Sequence, residues 1–237
     1  MAVKLILSFV VTAALALGWL RLNDFLAHKG LVSGRISRKI IHMGTGPIFV
    51  LCWLFFPDSE LSRYVAALIP LGITIQFALI GLGILSDPAS VKAMSRSGDR
   101  REILRGPLFY GIVFVILTIW FWKENVIGIV ALMILCGGDG LADIIGKRFG
   151  KMKLPWSVEK SLAGSLAVFV GGLLFSVIII AIYLNAGALP GKFMDYLLPV
   201  TVIAAACTLV ESLPFRDIDN ITVPIVAVML GFFILPK

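Results

Sequence analysis

Residues 162–184 read LAGSLAVFVGGLLFSVIIIAIYL, a run without a single charged side chain. A helix needs about 20 predominantly apolar residues to cross the hydrocarbon core of a bilayer. Seven further runs approach that length, and they occupy residues 5–22, 40–56, 64–85, 106–122, 126–145, 196–210 and 221–235. The sequence therefore predicts an all-α, polytopic transmembrane helix bundle of about eight spans. The last two runs are the shortest, so seven spans are the alternative.

The composition of the whole chain agrees with this interpretation. Hydrophobic residues make up 59% of the 237 positions and charged residues only 15%, with a mean hydropathy of +1.00. A soluble globular domain has about 25% charged residues. The composition excludes a soluble domain and a disordered chain, and three cysteines are too few for a disulfide-rich secreted module. We expect one integral membrane domain over residues 1–237.

The net charge of +7 would suggest a nucleic-acid partner in a soluble protein, but here it follows the expected topology. Most of the 21 Lys and Arg residues fall in alternate connections on one side, with Arg216 on the richer side and Lys237 on the poorer one. By the positive-inside rule, the richer side is cytoplasmic and both termini are non-cytoplasmic. We expect no nucleic-acid partner. Because no Arg- and Ser-rich transit segment precedes the first run, we expect a prokaryotic cytoplasmic or a thylakoid-type membrane.

The strongest chemical signal is the run CGGDGLADIIGKRFG at residues 136–150. Completing the apolar span before it places Asp139 and Asp143 within the membrane thickness, where an ionisable group is costly and indicates function. The two carboxylates are four positions apart, so they share one face of a helix. Together with water and phosphate oxygens they would suit Mg²⁺. The alternative is an interfacial anchor in which the acids pair with Lys147 or Arg148.

The helix predicted after residue 161 could bind phosphate at its start. A helix N-terminus offers unpaired N–H groups and a partial positive charge, to which Lys160 adds a full one. Ser161 or Ser165 could instead simply cap the helix. Glycines could let the backbone approach a ligand, although glycine is also common where membrane helices pack. The glycines in question are Gly137, Gly138, Gly140, Gly146 and Gly150.

These residues resemble the CTP-binding pattern of the membrane-embedded, CTP-dependent polyprenol and isoprenoid alcohol kinases. The pattern runs D-x-x-A-x-x-x-G-x-x-x-G, then eight residues, then K-K-T-x-E-G, and the chain matches its spacing. The chain departs from it at Glu159, Ser161 and Ala163. Its K-S-x-A-G-S form resembles the phytol kinase branch, with farnesol kinase, rather than dolichol kinase. The matching positions are Asp139, Ala142, Gly146, Gly150, Lys160 and Gly164.

Three further stretches resemble the same branch. They are SRKIIHMGTG at residues 37–46, SRSGDRREILRGP at residues 95–107, and ESLP with DNITVP at residues 211–214 and 219–224. The resemblance covers residues 37–237 as a kinase-like catalytic region and leaves the first helix and loop, residues 1–36, outside it. On the expected topology, all of these stretches begin at or lie within the cytoplasmic side.

The resemblance implies transfer of the γ-phosphoryl group of CTP to an isoprenoid alcohol, with phytol first and farnesol or geranylgeraniol as alternatives. It implies that Asp139 and Asp143 hold Mg²⁺ and that Lys160 offsets phosphate charge. His42 would contact phosphate or accept the hydroxyl proton, a role also open to Asp143. From the residues alone, however, His42 could equally be a packed, hydrogen-bonded histidine.

The resemblance also implies further nucleotide-binding positions, although the arginines among them could serve only as topology determinants. These positions are Lys39, Arg101, Glu102, Arg105, Gly138, Gly140, Gly146, Lys147, Arg148, Gly150, Ser161, Gly164, Glu211 and Asn220.

Two other functions remain open. A cytidylyltransferase that forms a CDP-lipid also needs CTP, Mg²⁺ and clustered acids, although the K-S-x-A-G element favours the kinase. A transporter is less favoured, since transporters often contain internal repeats and this chain has no convincing one.

Overall fold

The computed structural model describes residues 1–214 and 218–236, apart from the side chain of Arg35. Arg216 and Lys237, which entered the charge count, lie outside the described residues. The predicted all-α class is confirmed, because helices account for nearly all of the regular structure. They are α1 (Ala2–His28), α2 (Gly34–Cys52), α3 (Glu60–Leu82), α4 (Pro88–Met94), α5 (Gly106–Trp120), α6 (Val126–Ile134), α7 (Gly140–Phe149), α8 (Leu162–Asn185), α9 (Phe193–Glu211) and α10 (Asp219–Ile234).

Six helical segments of the described chain are long and apolar enough to cross a membrane, which identifies an integral membrane protein. They are Ala2–His28, Glu60–Leu82, Arg100–Trp120, Val126–Phe149, Leu162–Asn185 and Phe193–Glu211. The predicted count of eight is not confirmed. Helix α2 covers the predicted run 40–56 only as far as Cys52 and begins with several basic residues. Helix α10 covers the run 221–235 as far as Ile234 and has only 16 residues.

The contacts divide the chain into two compact units, Met1–Ile119 and Trp120–Lys237. The expected single domain over residues 1–237 therefore stays a prediction. In the first unit, α4 is attached to α1 by polar contacts: the Ser90 hydroxyl donates to Asp24, and Arg21 pairs with both Asp24 and Asp87. A buried apolar cluster from α1 to α4 and the loop before α5 comprises Ala27, Ile41, Phe77, Ile80, Ala93, Met94 and Ile103.

The second unit is built around α6, in which every residue is buried. Residues Leu135–Asp139 form a π-helical turn that joins α6 to α7, so Val126–Phe149 is one continuous helix. A π-turn inside an α-helix is rare and frequently marks a functional site. Helix α8 approaches this turn closely, because Gly171 lies against Gly137 without a side chain between them. The rare turn thus ends at Asp139, the first acid of the strongest sequence motif.

Between α7 and α8 the chain forms a short antiparallel hairpin, the only sheet among the described residues. Strand β1 (Lys153–Leu154) pairs with β2 (Ser157–Ser161), with Lys153 opposite Ser161 and Leu154 opposite Ser157. The all-α class predicted from the sequence did not include these two short strands. Strand β2 ends at Ser161 and α8 begins at Leu162, so the hairpin places Lys160 and Ser161 at the start of α8.

Candidate active site

The two acids of the strongest motif lie on consecutive turns of one helix. Asp139 ends the π-turn and is partly buried, and Asp143 lies in the first turn of α7. The Asp143 carboxylate forms an ion pair with Lys147, four residues further along. The pairing of Asp143 with Lys147 is one of the contacts that the interfacial-anchor alternative predicted. Arg148 is exposed, and its guanidinium lies over the ring of Phe149.

A charge cluster forms where β2 meets the end of α9 and the start of α10. The Lys160 ammonium forms an ion pair with Glu211 and lies 3.1 Å from the Asp219 carboxylate. The Glu211 side chain is only 6% exposed, and Asp139 lies near enough to Glu211 to repel it electrostatically. We call Lys160, Glu211, Asp219 and Asp139 the charge cluster. It unites residues from two of the four sequence motifs.

The charge cluster keeps Lys160 protonated. Burial by itself lowers the pKa of Lys160, but the Glu211 and Asp219 carboxylates outweigh it and raise the pKa above its ordinary 10.5. The charge cluster therefore holds Lys160 between the Glu211 and Asp219 carboxylates, with Asp139 close to Glu211.

Trp156 connects the hairpin to the same place. Its indole N–H donates to both the backbone oxygen and the hydroxyl of Ser212, each at 3.2 Å. Ser212 directly follows Glu211, so the hairpin is fixed to the end of α9 by a hydrogen bond and an ion pair on neighbouring residues.

The start of α8 is tightly enclosed. The Ser161 hydroxyl caps the helix by accepting from the Gly164 N–H at 3.2 Å, so its capping role is confirmed. A side chain at Gly146 would approach Gly164 and the Ser161 hydroxyl to 3.3 Å. Ser165 is 8% exposed, and its buried hydroxyl has no hydrogen-bond partner among the described residues. A buried hydroxyl without a partner indicates a place for a polar ligand atom.

The other motif glycines occupy close contacts between protein segments. A Cβ atom at Gly138 would lie 3.0 Å from the Val168 side chain, and Gly140 is buried. A Cβ atom at Gly150 would collide with the Gly146 carbonyl and the Ser161 hydroxyl. Helix packing, the plainer of the two sequence interpretations, accounts for these positions.

Within the first unit, His42 has an aromatic neighbour. Its ring lies 4.2 Å from the Tyr110 ring, and the Tyr110 hydroxyl donates to the His42 carbonyl at 2.8 Å. These contacts fix α2 against α5 at His42. Lys39, one turn earlier on α2, is buried.

The loop before α5 is organised by its own acids. The Glu102 carboxylate accepts from the Arg96 N–H and from the Ser97 hydroxyl at 2.8 Å, and Asp99 accepts from the Arg101 N–H. Glu102 thus shapes the loop, whereas the side chains of Arg101 and Arg105 are exposed.

Sequence reasoning did not assign Asp219 or Trp156 to the site. Asp219 is the first residue of the DNITVP motif, which was identified from the sequence. An acid at the start of α10 is also a recognisable signal for a helix N-terminus. Asn220 follows it and is partly buried. No comparable signal pointed to Trp156, whose partner Ser212 is 56 residues away.

The donor set fits Mg²⁺, although no group of three or more His, Cys, Asp or Glu side chains in the described chain could by itself hold a metal ion. Mg²⁺ usually keeps several waters and binds one or two carboxylates together with substrate phosphates. Asp139 and Asp143 supply that number of carboxylates.

Comparison with known proteins gives consistent results. The chain is 38% identical over 229 residues to a probable chloroplastic phytol kinase of Triticum aestivum, covering 96% of this chain and 76% of the relative. It is 36% identical to the chloroplastic phytol kinase 1 of Arabidopsis thaliana, covering 88% and 69%. It is 37% identical to the chloroplastic farnesol kinase of Arabidopsis thaliana, covering 96% and 74%.

No protein-family model and no solved structure matches the chain. The relatives are chloroplastic plant proteins and give no support to a prokaryotic membrane.

Proposed function

Because the chain belongs to the family of the phytol kinases and farnesol kinase, we propose that it phosphorylates an isoprenoid alcohol with CTP. Phytol is the proposed acceptor, and farnesol and geranylgeraniol are the alternatives. The alcohol oxygen forms a bond to the γ-phosphorus of CTP, and the bond from that phosphorus to the β–γ bridging oxygen breaks. CDP leaves and the hydroxyl proton is released.

The observation that carries this proposal is the charge cluster. Phosphoryl transfer depends mainly on positioning and on neutralising charge. Lys160 lies 51 positions before Glu211 and 59 before Asp219 but pairs with both, and Asp139 lies close to Glu211. Ionised groups at the ends of membrane-spanning helices are energetically costly. Their convergence therefore indicates a functional site.

The start of α8 is the proposed binding site of the CTP phosphates. Its N–H groups and partial positive charge attract anions, and the Ser165 hydroxyl is available to donate to a phosphate oxygen. Lys160 stands directly before the helix and is held charged. For Lys160 to contact a phosphate, that phosphate would take the place of one of its two carboxylate partners. Lys147 and Arg148 would add positive charge.

Asp139 and Asp143 are the proposed Mg²⁺ ligands. When bound, the ion would supply positive charge that offsets the charge of the phosphates. Asp143 is paired with Lys147, so the Lys147 ammonium lies beside a proposed ligand, where it would also offset phosphate charge.

The remaining roles are proposed from the resemblance. Asp143 or His42 would accept the proton of the acceptor hydroxyl, and Lys39, Arg101, Glu102, Arg105 and Asn220 would assist nucleotide binding. We place the charge cluster at the cytoplasmic face or its organellar equivalent. This is the side on which the connections rich in Lys and Arg are expected. A thylakoid-type membrane agrees with the chloroplastic relatives.

CTP carrying two different labels tests the proposal. Purified protein in lipid nanodiscs receives phytol with CTP labelled either at the γ-phosphate or in the cytidine. We expect the γ-label, and not the cytidine label, to enter the lipid, and excess unlabelled CTP to compete better than ATP. Cytidine label in a lipid product formed from a lipid phosphate would identify a cytidylyltransferase. No CTP turnover with any isoprenoid alcohol would contradict the proposal and leave transport as the alternative.

A further inference from the structure

The hairpin and the residue that leads into it expose large apolar side chains. The exposed fractions are 61% for Phe149, 67% for Met152, 52% for Trp156 and 85% for Val158. All four lie at or beyond the ends of the spanning segments Val126–Phe149 and Leu162–Asn185. Apolar surface concentrated in one short connection commonly marks a contact with a partner or a membrane.

The position of the hairpin limits which partner it can meet. The segments Val126–Phe149 and Leu162–Asn185 are both long enough to cross a bilayer, and α7 packs directly on α8. The twelve residues 150–161 leave one helix and enter the next, so they cannot move far from the membrane surface. A tryptophan among them is typical of the headgroup region, where an indole places its ring in lipid and its N–H on a polar partner.

Charge indicates the kind of membrane surface. Within residues 147–161 there are five basic residues and one acidic residue. Lys147 pairs with Asp143, and Lys160 pairs with Glu211 and Asp219. Arg148, Lys151 and Lys153 remain exposed around the apolar side chains. At the other end of the same helices, the connection 121–125 has one Lys and one Glu, and the connection 186–192 has one Lys.

We propose that residues 148–158 form a membrane wedge that docks on an anionic lipid leaflet. Phe149, Met152, Trp156 and Val158 enter the headgroup region, and Lys151 and Lys153 pair with anionic headgroups. Each basic residue near an anionic surface strengthens such binding. This contact goes beyond the proposed kinase activity, since it would form whatever the phosphoryl donor.

The membrane wedge is connected to the charge cluster. Trp156 donates to Ser212, and the adjacent Glu211 pairs with Lys160 at the end of the hairpin. Docking of the membrane wedge therefore sets the depth of Lys160 relative to the headgroups. An alcohol whose chain lies in the bilayer has its hydroxyl at that same depth.

A fluorescent label at Val158 tests the docking. Val158→Cys is labelled with bimane, and the native cysteines do not compete because each is no more than 2% exposed. The protein is placed in vesicles of phosphatidylcholine, with or without phosphatidylglycerol. We expect phosphatidylglycerol to lower quenching by acrylamide, an uncharged aqueous quencher, about twofold and to increase quenching by a lipid-attached nitroxide.

Two variants serve as controls for this measurement. Lys151→Gln with Lys153→Gln should remove the response to phosphatidylglycerol, and a label at Ala186→Cys, at the other end of α8, should not respond. Equal acrylamide quenching at Val158 in both lipids, or an equal response at Ala186, would overturn the proposal. Quenching of native protein by brominated lipids, minus that of Trp156→Phe, provides a second readout with the same expected lipid dependence.

Discussion

At the scale of single residues, Lys160 is the most informative side chain. Its ammonium group in strand β2 pairs with two carboxylates, Glu211 of α9 and Asp219 of α10. Removing it leaves Glu211, whose side chain is 6% exposed, beside Asp219 and Asp139 without a cation. An uncompensated buried charge is strongly destabilising. Since Lys160 and Asp219 are each 22% exposed, the effect is reduced by solvent.

We predict that Lys160→Ala lowers the free energy of unfolding by about 2 kcal/mol. Adding Glu211→Gln should recover at least half of that loss, because the acid left without its partner is removed. Thermal unfolding of the two single variants and the double variant in detergent measures the coupling. Strictly additive losses would show that the ion pair contributes nothing.

The raised pKa of Lys160 has a consequence for pH dependence. A lysine whose pKa is raised in the folded state contributes stability that is complete below its unfolded value of 10.5 and is lost as pH rises through the folded value. Lys160 should therefore not titrate between pH 6 and 9. We predict that the pH–rate profiles of native protein and Lys160→Arg have the same shape over that interval. An alkaline loss of activity that disappears in Lys160→Arg would contradict this.

The resemblance in the sequence predicted Lys160 and Glu211 as site residues, but not that they form an ion pair. They are separated by 51 positions, and local patterns carry no information about such a contact. For Glu102, the resemblance implied a nucleotide contact, which stays a prediction. The structure adds that its carboxylate accepts hydrogen bonds from Arg96 and Ser97 in the same loop. A motif indicates that a residue has a role, but it does not indicate which atoms the side chain contacts.

At the scale of elements, the close approach of α8 to the π-turn is the contact on which the second unit depends. A Cβ atom at Gly171 would lie 2.9 Å from the Gly137 carbonyl carbon, and backbone cannot move aside easily. We predict that Gly171→Ala costs about 1–3 kcal/mol. Gly72→Ala is the matched control, since nothing lies within 4 Å of its Cβ position, and it should be neutral or slightly stabilising. Equal shifts in melting temperature would contradict this assignment.

Most of the helices could be predicted because long apolar runs without charges have few alternatives. The π-turn and the hairpin could not. Leu135–Asp139 is apolar and glycine-rich and does not differ in periodicity from a packed α-helix. The hairpin strands have two and five residues, too few for an alternating pattern to stand out. Its formation depends on tertiary contacts such as that of Trp156 with Ser212.

At the scale of the whole molecule, the unequal distribution of basic residues predicts a fixed orientation. We predict that Lys151→Cys faces the cytoplasmic side and Ala186→Cys the opposite side, because Leu162–Asn185 crosses the membrane between them. In sealed vesicles of known orientation, an impermeant maleimide should label only one of the two. The buried native cysteines give little background. Labelling of both before permeabilisation would contradict the topology.

The central claim is that the charge cluster carries out phosphoryl transfer, and turnover by Asp139→Asn tests it most directly. Asparagine keeps the size of the side chain but removes the charge. With phytol and γ-labelled CTP, we predict a fall in turnover on the order of 100-fold at an unchanged melting temperature. Asp195→Asn, at the other end of α9 where the carboxylate accepts from the Lys192 N–H, should retain activity within about twofold. Native turnover in folded Asp139→Asn would contradict the claim.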